Sequence, residues 1–454
     1  MHDLTQGSIT RHIVKMAVPI MIGMLFQVAY FLVDLYFVAG IGDAAIAGVN
    51  TAGNLTFIVM ALTQVLGVGT TTLIAQAVGR KDHADANLVF NQSLLIATVC
   101  AAVTLLAGFV FVAPYMQVMG ADDATRAAGI GYLAWYVPSL ALQYWTAAMG
   151  SALRGTGIAK PTMLVQVLTV IINAILAPVL IAGWGTGHPM GVAGAGLATT
   201  ISVALGTLLL ILYFIKLEKF VSFESSLWAP RFEAWGRLFR IGLPAGGEFA
   251  LMFVYLAVIY FVIRDFGVEA QAGFGVGTRV MQAIFLPAMA VAFASSPVAA
   301  QNMGAGHFDR VRETFRASII IGSVIMAGLT LLTQIAPALL VGIWAKNPAV
   351  VAVGAEFLRY ISWNFVAQGI VFTCSGMFQA MGNTVPAMVS SASRLITFAV
   401  PVVWLSNKPG FELHEVWIAS MASVALQALF SLWLLRGQFQ RRLRPAAVAA
   451  TAPA

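Results

Sequence analysis

Uninterrupted apolar stretches, each long enough to cross a hydrocarbon core about 30 Å thick, recur from one end of the chain to the other. With turn residues and charges as punctuation, the pattern predicts twelve helical spans. The first six lie at approximately 13–38, 46–77, 88–113, 128–152, 161–183 and 191–215. After a more polar connection come 238–263, 270–300, 315–343, 358–381, 386–406 and 415–436. No interval is left for a sizeable soluble domain. The first span is too long for the core of a signal peptide and contains Asp34, so it is expected to persist as a helix.

Polar positions inside these runs carry the chemistry. Gln27, Tyr30 and Asp34 are spaced to share one face of a helix. A carboxylate at the centre of a span costs roughly 2.5 to 3.5 kcal/mol on insertion scales, so such a residue is functional or paired. By residue count Asp34 falls in the outer part of its span and Glu248 nearer the middle of span seven. Snorkelling to the interface is the bland alternative for Asp34, and neutralisation by Arg279 or Arg394 the one for Glu248. The aromatics of span four, Trp135, Tyr136, Tyr144 and Trp145, suit packing and interfacial anchoring as well as ligand contact. Glycine strings such as 191–196 and 273–277 lack a preceding strand or a Walker lysine, and read as close helix packing.

The two halves repeat. Pro19 and Pro244, Gly42 and Gly267, Gln76 and Gln301, Gly79 and Gly304, Gly157 and Gly382, and Pro161 and Pro386 are each 225 residues apart. Two pseudo-symmetric six-helix lobes follow, at 1–215 and 238–436, joined by a cytoplasmic connecting segment at 216–237 and followed by a disordered tail at 437–454. Because six is even, both lobes enter from one side, and the pseudo-twofold axis is expected along the membrane normal. The carboxylates break the symmetry, since Asp34 corresponds to Ile259 and Glu248 to Gly23.

Composition agrees with the pattern and removes competing classes. Hydrophobic residues make up 60% of 454, charged residues 9%, and the mean hydropathy is +0.87, far from the globular norm. The net charge of +7 would suit nucleic acid until the charges are placed. If the amino terminus is inside, eighteen of the 25 Lys and Arg fall on the cytoplasmic side, five outside, and Arg279 and Arg394 within spans. The basic balance is then topology and attraction to anionic lipid, with both termini cytoplasmic and no nucleic-acid partner. Cys100 and Cys374 lie in apolar runs without metal-ligand spacing and read as small core residues.

Several segments together resemble one family. Gly69–Gly79 (GTTTLIAQAVG), Leu153–Pro161 (LRGTGIAKP), Asn173–Ile181 (NAILAPVLI), Gly194–Thr199 (GAGLAT) and Gly277–Gln282 (GTRVMQ) are similar to stretches of the multidrug and toxic compound extrusion (MATE) transporters, in order and spacing, over about residues 10–436. The resemblance implies a two-lobed, twelve-helix antiporter of a prokaryotic plasma (inner) membrane. It would export organic, often cationic, compounds in exchange for protons or sodium ions, with no other cofactor. It matches Gln27, Tyr30, Asp34 and Asn173 to the family's amino-lobe polar cluster, Thr199 more loosely, and Glu248 to an acidic residue carried by one branch. Two departures stand out. Leu176-Ala177-Pro178 replaces a frequent Leu-Asp-Pro, and the tenth helix offers Gln368 and Asn383 where some members carry an aspartate. Fewer carboxylates mean fewer hard ligands for sodium, which would have to use Asp34, neutral groups and water, so the balance tips to protons.

Two other classes remain to be weighed. A lipid-linked oligosaccharide or lipid-precursor flippase of related architecture should present several cations to a pyrophosphate, yet only two arginines lie within spans. An intramembrane enzyme needs clustered carboxylates or a His-Glu-x-x-His helix, and His414-Glu415 lacks the second histidine. The expectation is a transporter, not an enzyme, working as a monomer on small organic substrates.

Overall fold

A computed structural model describes residues 2–443, without the side chain of Phe31. Among them the secondary structure is helical throughout, with no strand. The first half contains α1 (Ile9–Ala39), α2 (Asp43–Gly79), α3 (His83–Met119), α4 (Asp123–Gly155), α5 (Lys160–Ile181) and α6 (Val192–Lys216). The second contains α7 (Phe232–Ile263), α8 (Val268–Gly304), α9 (Phe308–Ile335), α10 (Pro337–Gly342), α11 (Pro348–Ile361), α12 (Phe365–Ala380), α13 (Val385–Ser406) and α14 (Leu413–Arg442).

These fourteen helices make twelve spans. Helices α9 and α10 form one span, interrupted at Ala336, whose φ of −138° and ψ of 53° leave the helical region. The cause is Pro337, whose ring excludes the helical conformation from the residue before it. Helices α11 and α12 form another, continuous through a 3-10 turn at Ser362–Asn364. That span begins at Pro348 rather than near residue 358, because Pro348 at the first turn and the Asn347 side chain, which accepts from Ala349 N–H, start it early.

The repeat is kept at the level of residues. Helix α2 and helix α8 are related by the 225-residue offset at both ends, as are α5 and α13, and α4 and the α11–α12 pair. The turns that close helices repeat as well. After α2, Lys81 N–H donates to Val78 O and Asp82 N–H to Ala77 O, and after α8 Gly306 N–H donates to Met303 O and His307 N–H to Asn302 O. The same pair of bonds follows α4 at Gly157 and Ile158 and α12 at Gly382 and Asn383. This is the Schellman closure, which needs a left-handed residue. Three of the four positions are glycine, but the fourth is Lys81 at φ 59°. Lys81→Gly is therefore expected to raise stability by about 1 kcal/mol, the penalty of a side chain in that conformation, read as a higher melting temperature in detergent.

The chain divides into two compact units. One comprises 1–3 and 18–242, the other 4–17 and 243–454. In the first, α6 lies against the backbones of α4 and α5 so closely that a Cβ on Gly196 would meet Tyr132 O at 2.5 Å and one on Gly194 would meet Leu180 O at 2.5 Å. In the second, a Cβ on Gly273 would meet Val353 Cβ at 2.6 Å and one on Gly277 the Phe357 ring at 2.6 Å. The glycine strings are thus packing surfaces, as their place in spans implied.

Each unit also holds the approach to a first helix. In the first unit three amide side chains of α3 hold the run that leads into α7. Asn87 Nδ2 donates to Glu224 Oε1 and its Oδ1 accepts from Ser222 N–H at 2.8 Å. Asn91 Nδ2 donates to Ser222 O at 2.9 Å, and its Oδ1 accepts from Glu224 N–H at 3.0 Å and from Trp228 Nε1 at 3.1 Å. Gln92 Nε2 donates to Leu227 O and Ala229 O, and its Oε1 accepts from Arg231 N–H and Trp235 Nε1, all between 2.6 and 3.0 Å. Asp85 then takes Arg237 through two bonds of 2.7 and 2.8 Å. In the second unit Gln301 Oε1 accepts from Leu4 N–H at 3.0 Å, Asn302 Nδ2 donates to Leu4 O at 3.2 Å, and Arg310 donates to Gly7 O at 3.0 Å. Arg310 is the 225-residue counterpart of Asp85, so one position serves the same purpose with opposite charge.

The carboxy-terminal tail differs from expectation at its start. Helix α14 continues to Arg442 rather than ending at 436, since Arg441 and Arg442 suit the negative end of a helix and Arg442 Nη1 donates to Met381 O at 2.6 Å. The disorder expected further on, from Arg444 to Ala454, lies outside the described residues.

Candidate functional site

Helices α1, α5 and α6 of the first unit bring one polar residue each to a common point. Asp34, on α1, is buried at 7% exposure, Asn173, on α5, at 0% and Thr199, on α6, at 2%. Asn173 Nδ2 donates to Asp34 Oδ1 at 2.6 Å, and Thr199 Oγ1 to Asp34 Oδ2 at 3.1 Å. The Thr199 hydroxyl is also 3.0 Å from Ala195 O, so its one proton is shared between carbonyl and carboxylate. The close seat of Gly196, one turn before Thr199, sets how near this hydroxyl comes. Tyr30, one turn before Asp34, reaches Thr199 O at 3.5 Å.

The carboxylate has two neutral donors and no cation. No Lys, Arg or His among the described residues lies within 4.0 Å of it. Snorkelling is ruled out by its burial and by partners on two other helices. Asn173 Oδ1 is buried without a hydrogen-bond partner, an acceptor left open beside an acid. Tyr132 and Tyr136 on α4 sit within electrostatic reach of Asp34, their rings stacked 4.7 Å apart, and Tyr136 Oη is 3.0 Å from Thr56 Oγ1. Gln27 does not join. It shares Asp34's side of α1, but two turns away, about 10.5 Å along the axis, where it is exposed.

In the second unit, Ser375 Oγ on α12 donates to Glu248 Oε1 at 2.6 Å. The expected charge partners are elsewhere. Arg394 on α13 lies over the Tyr255 ring at 4.1 Å and donates from Nη1 to Gln368 Oε1 at 3.1 Å, while Arg279 is exposed. Neither is within 4.0 Å of a carboxylate among the described residues, so Glu248 and the two arginines are not ion pairs. The reason is local. A tyrosine face and an amide oxygen next to Arg394 supply what the sequence reading assigned to the glutamate. Of the span-four aromatics, Tyr144 is buried against Thr104 at 3.2 Å, Trp145 donates to Thr98 at 3.0 Å, and Trp135 is exposed. Cys100 and Cys374 are both free thiols.

A duplicated six-span plan with a shielded acid defines a polytopic membrane transporter. The MatE family model matches residues 19–179 and again 244–405, and the chain belongs to that family of multidrug transporters. It is 26% identical over 444 residues to the probable multidrug resistance protein YoeA of Bacillus subtilis, covering 96% of this chain and 94% of that one. It is 27% identical over 428 residues to the multidrug export protein MepA of Staphylococcus aureus, covering 92% of each. In fold it is similar to a MOP superfamily transporter from Pyrococcus furiosus, with a TM-score of 0.91, 22% identity and 98% of both chains covered. Membership makes the chain a multi-pass membrane protein and a multidrug efflux transporter, not an enzyme, and does not favour the flippase alternative.

Proposed function

We propose that this chain is a secondary active antiporter that exports organic, often cationic, compounds in exchange for protons, with Asp34 the group that proton and substrate contest. A carboxylate shielded by neutral donors carries one uncompensated negative charge, and either a proton or an organic cation neutralises it, not both. Competition of this kind couples the two fluxes when the site opens to one side of the membrane at a time. The observation that carries the reading is the Asn173–Asp34–Thr199 arrangement, with two donors and no cation. Asn173 serves both states of the acid. Its amide donates to the carboxylate, and after a flip its unpartnered Oδ1 would accept from the protonated form. A sodium ion would find one carboxylate, where a hard cation prefers several oxygens.

The export reading also places both termini in the cytoplasm of a prokaryotic inner membrane and takes the monomer as the working unit. The test is reconstitution in liposomes, imposing a proton gradient and a sodium gradient separately while following uptake of ethidium. Uptake driven by the proton gradient alone is the expected outcome, and uptake that requires sodium would overturn the proton assignment.

A further inference from the structure

The second unit holds a charge that the export of cations does not use. Arg394 is the tenth residue of α13. By residue count it is about 14 Å from one end of the helix and 18 Å from the other, too deep for its side chain to reach the headgroups. An arginine at that depth normally meets a carboxylate. This one meets none among the described residues. Of its five N–H donors only one, on Nη1, has an acceptor, Gln368 Oε1, and Nε is buried with no partner.

The surroundings hold the guanidinium in place without neutralising it. Tyr255 lies under its plane at 4.1 Å, with its own hydroxyl fixed to Ser420 Oγ at 2.7 Å and its ring against Phe398 at 4.9 Å. Gln368 is buried and turns its oxygen to one end of the fork. Glu248, on the same helix as Tyr255, lies seven residues earlier, about 10.5 Å along the axis, and is engaged by Ser375. The side chain is half-buried, and the three remaining N–H groups of Nη1 and Nη2 have no acceptor among the described residues. A planar fork with free parallel donors matches two oxygens of a carboxylate or sulfonate. The repeat supports a dedicated role. Tyr255 is the counterpart of Tyr30, but Arg394 is the counterpart of Thr169, so the second half has a cation that the first does not need.

We propose that Arg394, positioned by Gln368 and Tyr255, is a binding site for the anionic group of an organic amphiphile, a carboxylate or sulfonate joined to an apolar body. The site goes beyond the export reading and belongs to a different unit from Asp34. It would admit anionic or zwitterionic compounds alongside cations.

The test is binding without any gradient, so its outcome is independent of coupling at Asp34. The full-length protein in phosphatidylcholine nanodiscs is titrated with dansyl sulfonate and with neutral dansylamide, and the fluorescence of empty nanodiscs is subtracted. The expected result is saturable sulfonate binding about tenfold or more tighter than the amide, in keeping with a charge-assisted pair. Arg394→Gln loses that preference and Arg394→Lys retains part of it. In the unaltered protein, excess naphthalene-2-carboxylate displaces the sulfonate and a naphthylmethylammonium cation does not, which needs no variant to fold. Equal affinity for sulfonate and amide in the unaltered protein, or a preference that survives in a folded Arg394→Gln, would overturn the assignment.

Discussion

Asp34→Asn is expected to reduce gradient-driven efflux to the level of vesicles without the protein, while the variant still inserts and folds. The substitution keeps size and shape, and the new amide oxygen still accepts from Asn173 Nδ2, so the junction of α1, α5 and α6 loses little. What it removes is the charge and the ability to exchange a proton. Stability is expected to stay near that of the parent, because replacing an unpaired buried charge by a neutral group relieves a desolvation cost as it weakens a hydrogen bond. The measurement is ethidium extrusion in everted vesicles at equal protein level, with a melting temperature for the purified variant. Extrusion at the parent's rate would refute the role of Asp34, whereas loss of both extrusion and fold would mark it as structural.

Gln92→Leu is expected to be the most damaging single change to the fold among polar positions. The side chain is fully buried and serves four groups of the run leading into α7, two carbonyls, an amide and an indole. Leucine has similar bulk and no polar atom, so all four lose their partner at about 1 kcal/mol or more each, on the order of 4 kcal/mol in total. Protein stabilities are commonly about 5 to 15 kcal/mol, so that is a large fraction. The run is also held by ring contacts, Phe223 with Phe90 at 5.5 Å and Trp228 with Trp145 at 6.0 Å, which is why partial release rather than global loss is expected first. Trypsin should then cut at exposed Arg231 faster than in the parent, and the melting temperature should fall. Gln92→Glu keeps the acceptor for Arg231 N–H and Trp235 Nε1 but turns a carboxylate oxygen toward Leu227 O and Ala229 O in a buried place, so it should be no milder than Gln92→Leu. Parent-like protease resistance and melting in Gln92→Leu would show that the aromatic contacts suffice.

Most of the fold was legible because membrane spans announce themselves by apolar length and a duplication by constant offset. Asp34 and Asn173 could be found from sequence for a related reason: within an apolar run a polar residue has nowhere else to go but to another polar residue. Gln27 shares the face of Asp34 but lies two turns away, and a helical wheel gives angle but not height. The amide hold of Asn87, Asn91 and Gln92 was not legible. Its partners are mostly main-chain groups more than 130 residues away, which leave no mark in the side-chain pattern. The neighbours of Arg394 escaped for another reason. Opposite charges are sought first, and a tyrosine face has no formal charge to find.

The division of the chain into units has a further consequence. Residues 4–17 belong with the second unit although they open the first half, and 232–242 belong with the first although they begin α7. A cut in the connecting run would therefore not yield two self-sufficient pieces, because each fragment would carry off a segment on which the other's integrity depends.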